Sequence, residues 1–113
     1  MSDCIFCKIA AGEIPANVVY EDDYVLAFHD INPVAPVHVL VIPKKHIESL
    51  AHSGPDDLPV LGHVLDGATK VAEITGVKTS GFRTVINSGE NAGQSVFHLH
   101  AHVIGGKTQG WPP

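Results

Sequence analysis

His98-Leu99-His100-Ala101-His102-Val103-Ile104 is the stretch that decides the fold. Histidine alternates with apolar residues, and a period of two marks a β-strand whose two faces differ. On such a strand Leu99, Ala101 and Val103 enter the core, while His98, His100 and His102 form a row on the other face. The spacing predicts a strand over 97–104, and the neighbouring sequence supplies its partners. Residues 82–87 are rich in β-branched and aromatic side chains and predict a second strand, joined to the first by the polar, glycine-bearing loop 88–95. Val37 to Ile42 is apolar except for His38 and predicts a buried strand that stops at Pro43. Val18-Val19-Tyr20 and Tyr24-Val25-Leu26-Ala27-Phe28 predict a hairpin across the acidic turn Glu21-Asp22-Asp23. Between the two strand groups, Leu61, Val64, Leu65, Ala68, Val71 and Ala72 fall at helical spacing, which predicts a helix over 57–75. Pro59 suits its first turn and Gly76 its C-terminal cap. A short helix is expected over 5–11. Hairpin spacing on both sides of the long helix favours an α+β fold: a five-stranded antiparallel sheet with one long and one short helix.

Composition narrows the function classes. At 113 residues the chain is expected to be one domain, and 44% apolar content is enough for a core. No apolar run approaches the ~18 residues of a membrane span. Met1-Ser2-Asp3-Cys4 lacks the basic start and apolar stretch of a signal peptide, so a cytoplasmic location with no membrane partner is expected. The net charge is −5, which does not support a general nucleic-acid binder held by a basic surface. An anionic ligand then needs a local pocket. The eight histidines are the unusual feature of the composition.

Three imidazoles in strict alternation have no structural use, so the row points to chemistry. A single metal held by all three is disfavoured: the outer α-carbons of an undistorted strand stand about 13 Å apart, whereas a zinc–nitrogen bond is about 2 Å. Nucleophilic catalysis fits better. A neutral imidazole attacks phosphorus well when its other nitrogen is held as a donor. Gly93-Gln94-Ser95, just before the row, could aim N–H groups and a hydroxyl at an anion. The middle histidine, His100, is flanked by the other two.

The motif His98-Leu99-His100-Ala101-His102-Val103-Ile104 resembles the histidine-triad pattern. Cys4-Ile5-Phe6-Cys7-Lys8-Ile9, Ala27-Phe28-His29-Asp30-Ile31, Val41-Ile42-Pro43-Lys44-Lys45-His46-Ile47, Gly93-Gln94-Ser95-Val96 and Trp111-Pro112-Pro113 resemble its Hint branch, the histidine-triad nucleotide-binding proteins. The resemblance covers nearly the whole chain. It implies a homodimer whose two sheets join into one. It also implies binding of purine nucleoside monophosphates and hydrolysis of phosphoramidates and acyl-adenylates through a nucleotidyl-histidine intermediate, with release of AMP or GMP. Carried onto matching positions, His100 is the nucleophile and His102 hydrogen-bonds the α-phosphate. His38 orients the nucleophile or relays protons to it, and Ser95 contacts the leaving group. Asn87, Gly93 and Gln94 help hold the phosphate. Ile5, Phe6, Ile9, Phe28, His29, Asp30, Ile31 and Val96 match the nucleoside pocket, with Asp30 on the ribose hydroxyls. The C-terminal segment around Trp111 lies near the partner's active site and shapes leaving-group preference. No cofactor is required for the chemistry.

Cys4 and Cys7 are the only cysteines. A disulfide does not suit a reducing compartment, and no βαβ unit supports a redox role. As half of a zinc site the pair needs two more ligands, for which His46 and His98 are candidates. Zinc-binding members of the wider family resemble this arrangement, so a structural zinc at Cys4, Cys7, His46 and His98 is the expectation. His52 and His63 have no motif around them and are expected at the surface. Two further classes compete with the hydrolase: a nucleotide-binding regulatory module with incidental turnover, and a metal-dependent hydrolase. A diadenosine-polyphosphate hydrolase fits less well, because those relatives end their triad differently.

Overall fold

The structure, a computed structural model, describes residues 3–113; Met1 and Ser2, the start of the N-terminal stretch considered above, lie outside it. Five strands form one antiparallel sheet: β1 (Val18–Glu21), β2 (Val25–His29), β3 (Val37–Pro43), β4 (Phe82–Val85) and β5 (Ala101–Gly105), in the spatial order β1-β2-β3-β5-β4. Helix α1 (Ile5–Ala10) precedes the sheet, and the long helix α2 (Leu58–Thr75) lies between β3 and β4 in the chain. Short 3-10 turns at Leu50–His52, Pro55–Asp57 and Glu90–Ala92 were not expected from the sequence. No described helix is long and apolar enough to cross a membrane.

Strand alternation divides the sheet into two faces. Val25, Ala27, Val39, Val41, Ala101 and Val103 pack with Val64, Ala68 and Val71 of α2. Leu26, Phe28, Leu40 and Ile42 pack with Phe6 of α1 on the other face. His38 and His102 share that second face by the period of two. The sheet therefore separates a helix-covered core from a side left open for chemistry.

Local chemistry explains the element ends. Asp22 closes the β1–β2 hairpin: its Oδ1 accepts from the N–H of Tyr24 and Val25 at 2.8 and 2.9 Å, and its Oδ2 from the Tyr20 hydroxyl at 2.8 Å. Burial opposes its charge, but these donors outweigh it and hold the carboxyl below its ordinary value. Gly76 ends α2 at φ +80°, the left-handed conformation that suits glycine. Gly67 permits close approach of α2 to the sheet, since a Cβ there would stand 3.0 Å from Val41 Cγ1 and 3.1 Å from Val25 Cγ2.

Four expectations need correction. Leu65, placed on the buried stripe of α2, is 55% exposed, and Gly67 takes the buried position on that side. His63 is not a plain surface residue: its ring stacks on Tyr24 with centroids 3.7 Å apart and planes 4° apart. His52 is exposed, as expected, with Nδ1 2.6 Å from Ser49 Oγ. The triad strand starts at Ala101 rather than at residue 97. The β3–β5 register would set Leu99 opposite Pro43, which has no N–H to give to a ladder. Leu99 N–H instead donates to the Ile47 carbonyl at 2.7 Å. The partner strand ends with it, at Val85 rather than at residue 87.

Candidate active site

The three histidines of the triad do not act as one row. Each is held by a different partner, and those partners assign its tautomer. His98 is fully buried, and its Nε2 lies 2.8 Å from the Pro43 carbonyl, which can only accept. Nε2 therefore donates, and Nδ1 presents a lone pair. That lone pair lies 3.3 Å from Cys4 Sγ, 3.5 Å from Cys7 Sγ and 3.2 Å from His46 Nδ1. Cys7 Sγ is 3.3 Å from His46 Nδ1. A tetrahedral zinc with bonds of about 2.3 Å to sulfur and 2.0 Å to nitrogen has ligand–ligand edges of roughly 3.3–3.8 Å. All four donor atoms lie within 4.8 Å of one another, so this set could hold a metal ion. Burial, with help from neighbouring His46 and His100, lowers the pKa of His98 and favours the neutral ring that a ligand must be. His46 comes from the segment after β3, which is anchored by the Lys45–Asp57 ion pair at 2.5 Å.

His100 is also buried, and its Nδ1 stands 2.8 Å from the His98 carbonyl. That carbonyl accepts, so in the neutral ring Nδ1 carries the proton and Nε2 the lone pair. The ring is braced by Phe6 in an edge-to-face contact, with centroids 5.2 Å apart and planes at 89°. The strand-like alternation thus survives at His100 although the ladder has not begun.

His102 belongs to a third arrangement. The Val34 N–H donates to His38 Nδ1 at 3.1 Å, so the proton of neutral His38 sits on Nε2. His38 Nε2 lies 2.9 Å from His102 Nδ1 and 3.4 Å from Asp30 Oδ2. It donates to His102 Nδ1, which leaves the proton of neutral His102 on Nε2. Burial first, then the neighbouring His100 and His38, push the pKa of His102 down to about 4. Asp30, His38 and His102 also lie close enough together to ligate a metal. With the Val34 amide occupying Nδ1 of His38, however, Nε2 is a donor, and the trio is a hydrogen-bonded chain.

A cavity of about 310 Å³ opens beside these rings. Of the residues picked out from the sequence, Ile5, Phe6, Ile9, Phe28, Asp30, Ile31, Ser95, Val96, His100 and His102 line it. Asn32 and Leu40 also line it and were missed. Leu40 could have been found by counting two residues on from His38 along β3. Asn32 follows Asp30 by two and gives its N–H to Asp30 Oδ1 at 2.7 Å.

Other candidates lie elsewhere. His29 is exposed and follows Val25 and Ala27 on the opposite alternation from Phe28, so it does not line the cavity. The buried Gln94 amide is fully engaged: it donates to the Glu48 and Val96 carbonyls at 2.8 and 3.1 Å and accepts from Gly89 N–H at 2.8 Å. Its side chain supports the loop that carries Ser95. Gly93 adopts φ +83° in that loop. Asn87 donates to the Ala92 carbonyl at 2.9 Å and lines a separate cavity of about 620 Å³ with Val34, Arg83, Val85 and Ile104.

Comparison with known proteins identifies the family. The model of the HIT domain family matches residues 11–109. The chain belongs to the HIT family. It is 53% identical over 105 residues to Protein HitA of Neisseria gonorrhoeae, covering 93% of this chain and 97% of that one. Its fold is similar to that of a HIT family hydrolase from Legionella pneumophila, with a TM-score of 0.95, 49% identity and coverage of 98% and 99% of the two chains. It is also similar to the histidine triad nucleotide-binding protein from Candida albicans, with a TM-score of 0.82, 35% identity and coverage of 98% and 84%. The α+β fold expected from the sequence is therefore the HIT fold.

Proposed function

We propose that this HIT protein is a Hint-type hydrolase that cleaves phosphoramidates or acyl-adenylates of purine nucleoside monophosphates. The observation that carries the reading is the tautomer of His100: with Nδ1–H given to the His98 carbonyl, Nε2 keeps its lone pair beside a nucleotide-sized cavity. In the first step Nε2 attacks the α-phosphorus. A P–N bond to His100 forms, and the bond to the leaving amine or acyl oxygen breaks. In the second step water attacks the same phosphorus, the P–His100 bond breaks, and AMP or GMP leaves. His102 Nε2–H donates to a phosphoryl oxygen as charge builds on it. His38 keeps His102 in the required tautomer. Ser95 faces the leaving group, Asp30 accepts from the ribose hydroxyls, and Ile5, Phe6, Ile9, Phe28 and Val96 hold the base.

Two further features belong to this reading. Cys4, Cys7, His46 and His98 would hold one zinc, which when bound cross-links α1 to the segments around β3 and β5. The chain's own residues carry the chemistry, since His98 faces the cysteines and His100 the cavity. The protein is a homodimer: β4 lies at the sheet edge, where a second copy can continue the sheet. The HIT neighbours described as hydrolase and as nucleotide-binding protein support both halves of the activity.

The test is turnover of adenosine 5′-phosphoramidate by wild type and His100→Ala, with and without chelator. The reading expects AMP release that is lost in the variant and survives chelation in protein still folded by circular dichroism. Tight AMP binding without turnover in wild type would instead make the chain a nucleotide-binding regulatory module.

A further inference from the structure

The loop between β2 and β3 touches the site at two points. Asp30 opens it and faces His38 Nε2 at 3.4 Å. Four residues later the Val34 N–H faces the other nitrogen of the same ring at 3.1 Å. The Val34 side chain is 59% exposed and takes no part in this contact.

We propose that the backbone amide of Val34 is a positioning group: it selects the Nε2–H tautomer of His38 and so sets the direction of the whole His38–His102 chain. The kinetic consequence rests on the hydrolase reading above; the tautomer itself does not. The logic is one of donors and acceptors. With Val34 donating, His38 Nε2–H donates to His102 Nδ1, and the chain ends in a His102 Nε2–H donor, which suits an anionic phosphoryl oxygen. In the opposite tautomer, His38 Nδ1–H would meet the Val34 N–H donor to donor. The Nε2 lone pair would then face Asp30, and His102 would have to donate from Nδ1. Its Nε2 would present a lone pair to the phosphoryl oxygen, which is repulsive. One main-chain N–H thus decides whether the chain ends in a donor or an acceptor.

Asp30 favours the same tautomer in the ligand-free protein, because a carboxylate oxygen beside Nε2 wants a proton there. When ribose hydroxyls engage that carboxylate, its hold on His38 weakens and the Val34 amide becomes the deciding group. The Val34 amide therefore keeps the phosphate-facing donor in place while the sugar occupies Asp30. Proton placement of this kind contributes on the order of a hundredfold or more to rate in general acid–base systems.

The test replaces the Val34 amide by an ester, using 2-hydroxyisovalerate at position 34, which removes the N–H and keeps the side chain. The same ester chemistry at Ala35, whose N–H makes no such contact, serves as the control. Val34→Pro gives a second route to the same loss. Long-range proton–nitrogen correlation spectra report the His38 and His102 tautomers, free and with AMP. Wild type and the Ala35 ester should show His38 protonated at Nε2 in both states. The Val34 ester should lose that single tautomer with AMP bound. AMP affinity should stay within about threefold, and kcat should fall on the order of tenfold or more with little change in KM. A Val34 ester that keeps His38 protonated at Nε2 with AMP bound overturns the proposal, as does a kcat drop matched by the Ala35 ester. If wild type turns over no phosphoramidate, the activity reading fails, and the spectra still decide the tautomer claim.

Discussion

Acid should destabilise this fold through His102 in particular. In the folded chain burial and the neighbouring His100 and His38 hold its pKa near 4, against an ordinary value of 6.5. Between those values the unfolded chain binds a proton that the folded chain refuses. Stability therefore rises with pH across that window and is lost as pH falls through it. The full separation corresponds to about 3 kcal/mol, at 1.36 kcal/mol per pH unit. Water still reaches part of the half-buried ring, so about 2 kcal/mol is the better ceiling. From pH 7 to pH 5 the share of that loss is about 1–2 kcal/mol. His102→Asn keeps an acceptor for His38 Nε2–H and removes the titration. Urea unfolding of both proteins at a series of pH values reads the effect of His102 and its coupling to His38 and His100, since groups remote from this cluster titrate alike in each. Wild type should lose about 1–2 kcal/mol more than the variant between pH 7 and pH 5. Parallel curves would refute the reasoning, because His102 would then ionise as freely in the folded chain as in the unfolded one.

Other consequences can be checked more simply. Gly67→Ala gains about 1 kcal/mol of helix propensity, but its Cβ meets Val41 and Val25 at 3.0 and 3.1 Å; overpacking of about 1–3 kcal/mol should win, lowering the urea midpoint. Purified protein should carry about one zinc per chain by metal analysis, and Cys4→Ser should lose it together with thermal stability. Deleting residues 110–113 removes the carbonyl that Arg83 binds at 2.5 Å and the exposed Trp111. That deletion should alter preference among leaving groups more than melting temperature, and the reverse pattern would count against a role for the tail.

Much of this was legible in the sequence because it rests on local periodicity. The helical stripe located α2, and the apolar run ending in Pro43 located β3. Alternation through residues 98–103 separated Leu99, Ala101 and Val103, all buried against α2, from the histidines. What alternation could not show is that the three histidines go to three partners. That division depends on contacts across the fold: Pro43 for His98, the His98 carbonyl for His100 and His38 for His102. Asn32 escaped notice because its part in the site comes from a turn closing on Asp30. The sequence also does not reveal that the side-chain amide of Gln94 donates to the Glu48 and Val96 carbonyls. The His63–Tyr24 stack joins α2 to the start of β2 and has no local signature.

The central claim is that His100 Nε2 becomes bonded to phosphorus. Rapid alkaline quenching of wild type turning over adenosine 5′-phosphoramidate, followed by mass spectrometry of its peptides, tests it most directly. The account predicts one adenylyl group on the peptide containing His100 and none in His100→Ala. AMP release with no adenylyl group on any histidine, or with one on His38 or His102 instead, would contradict it.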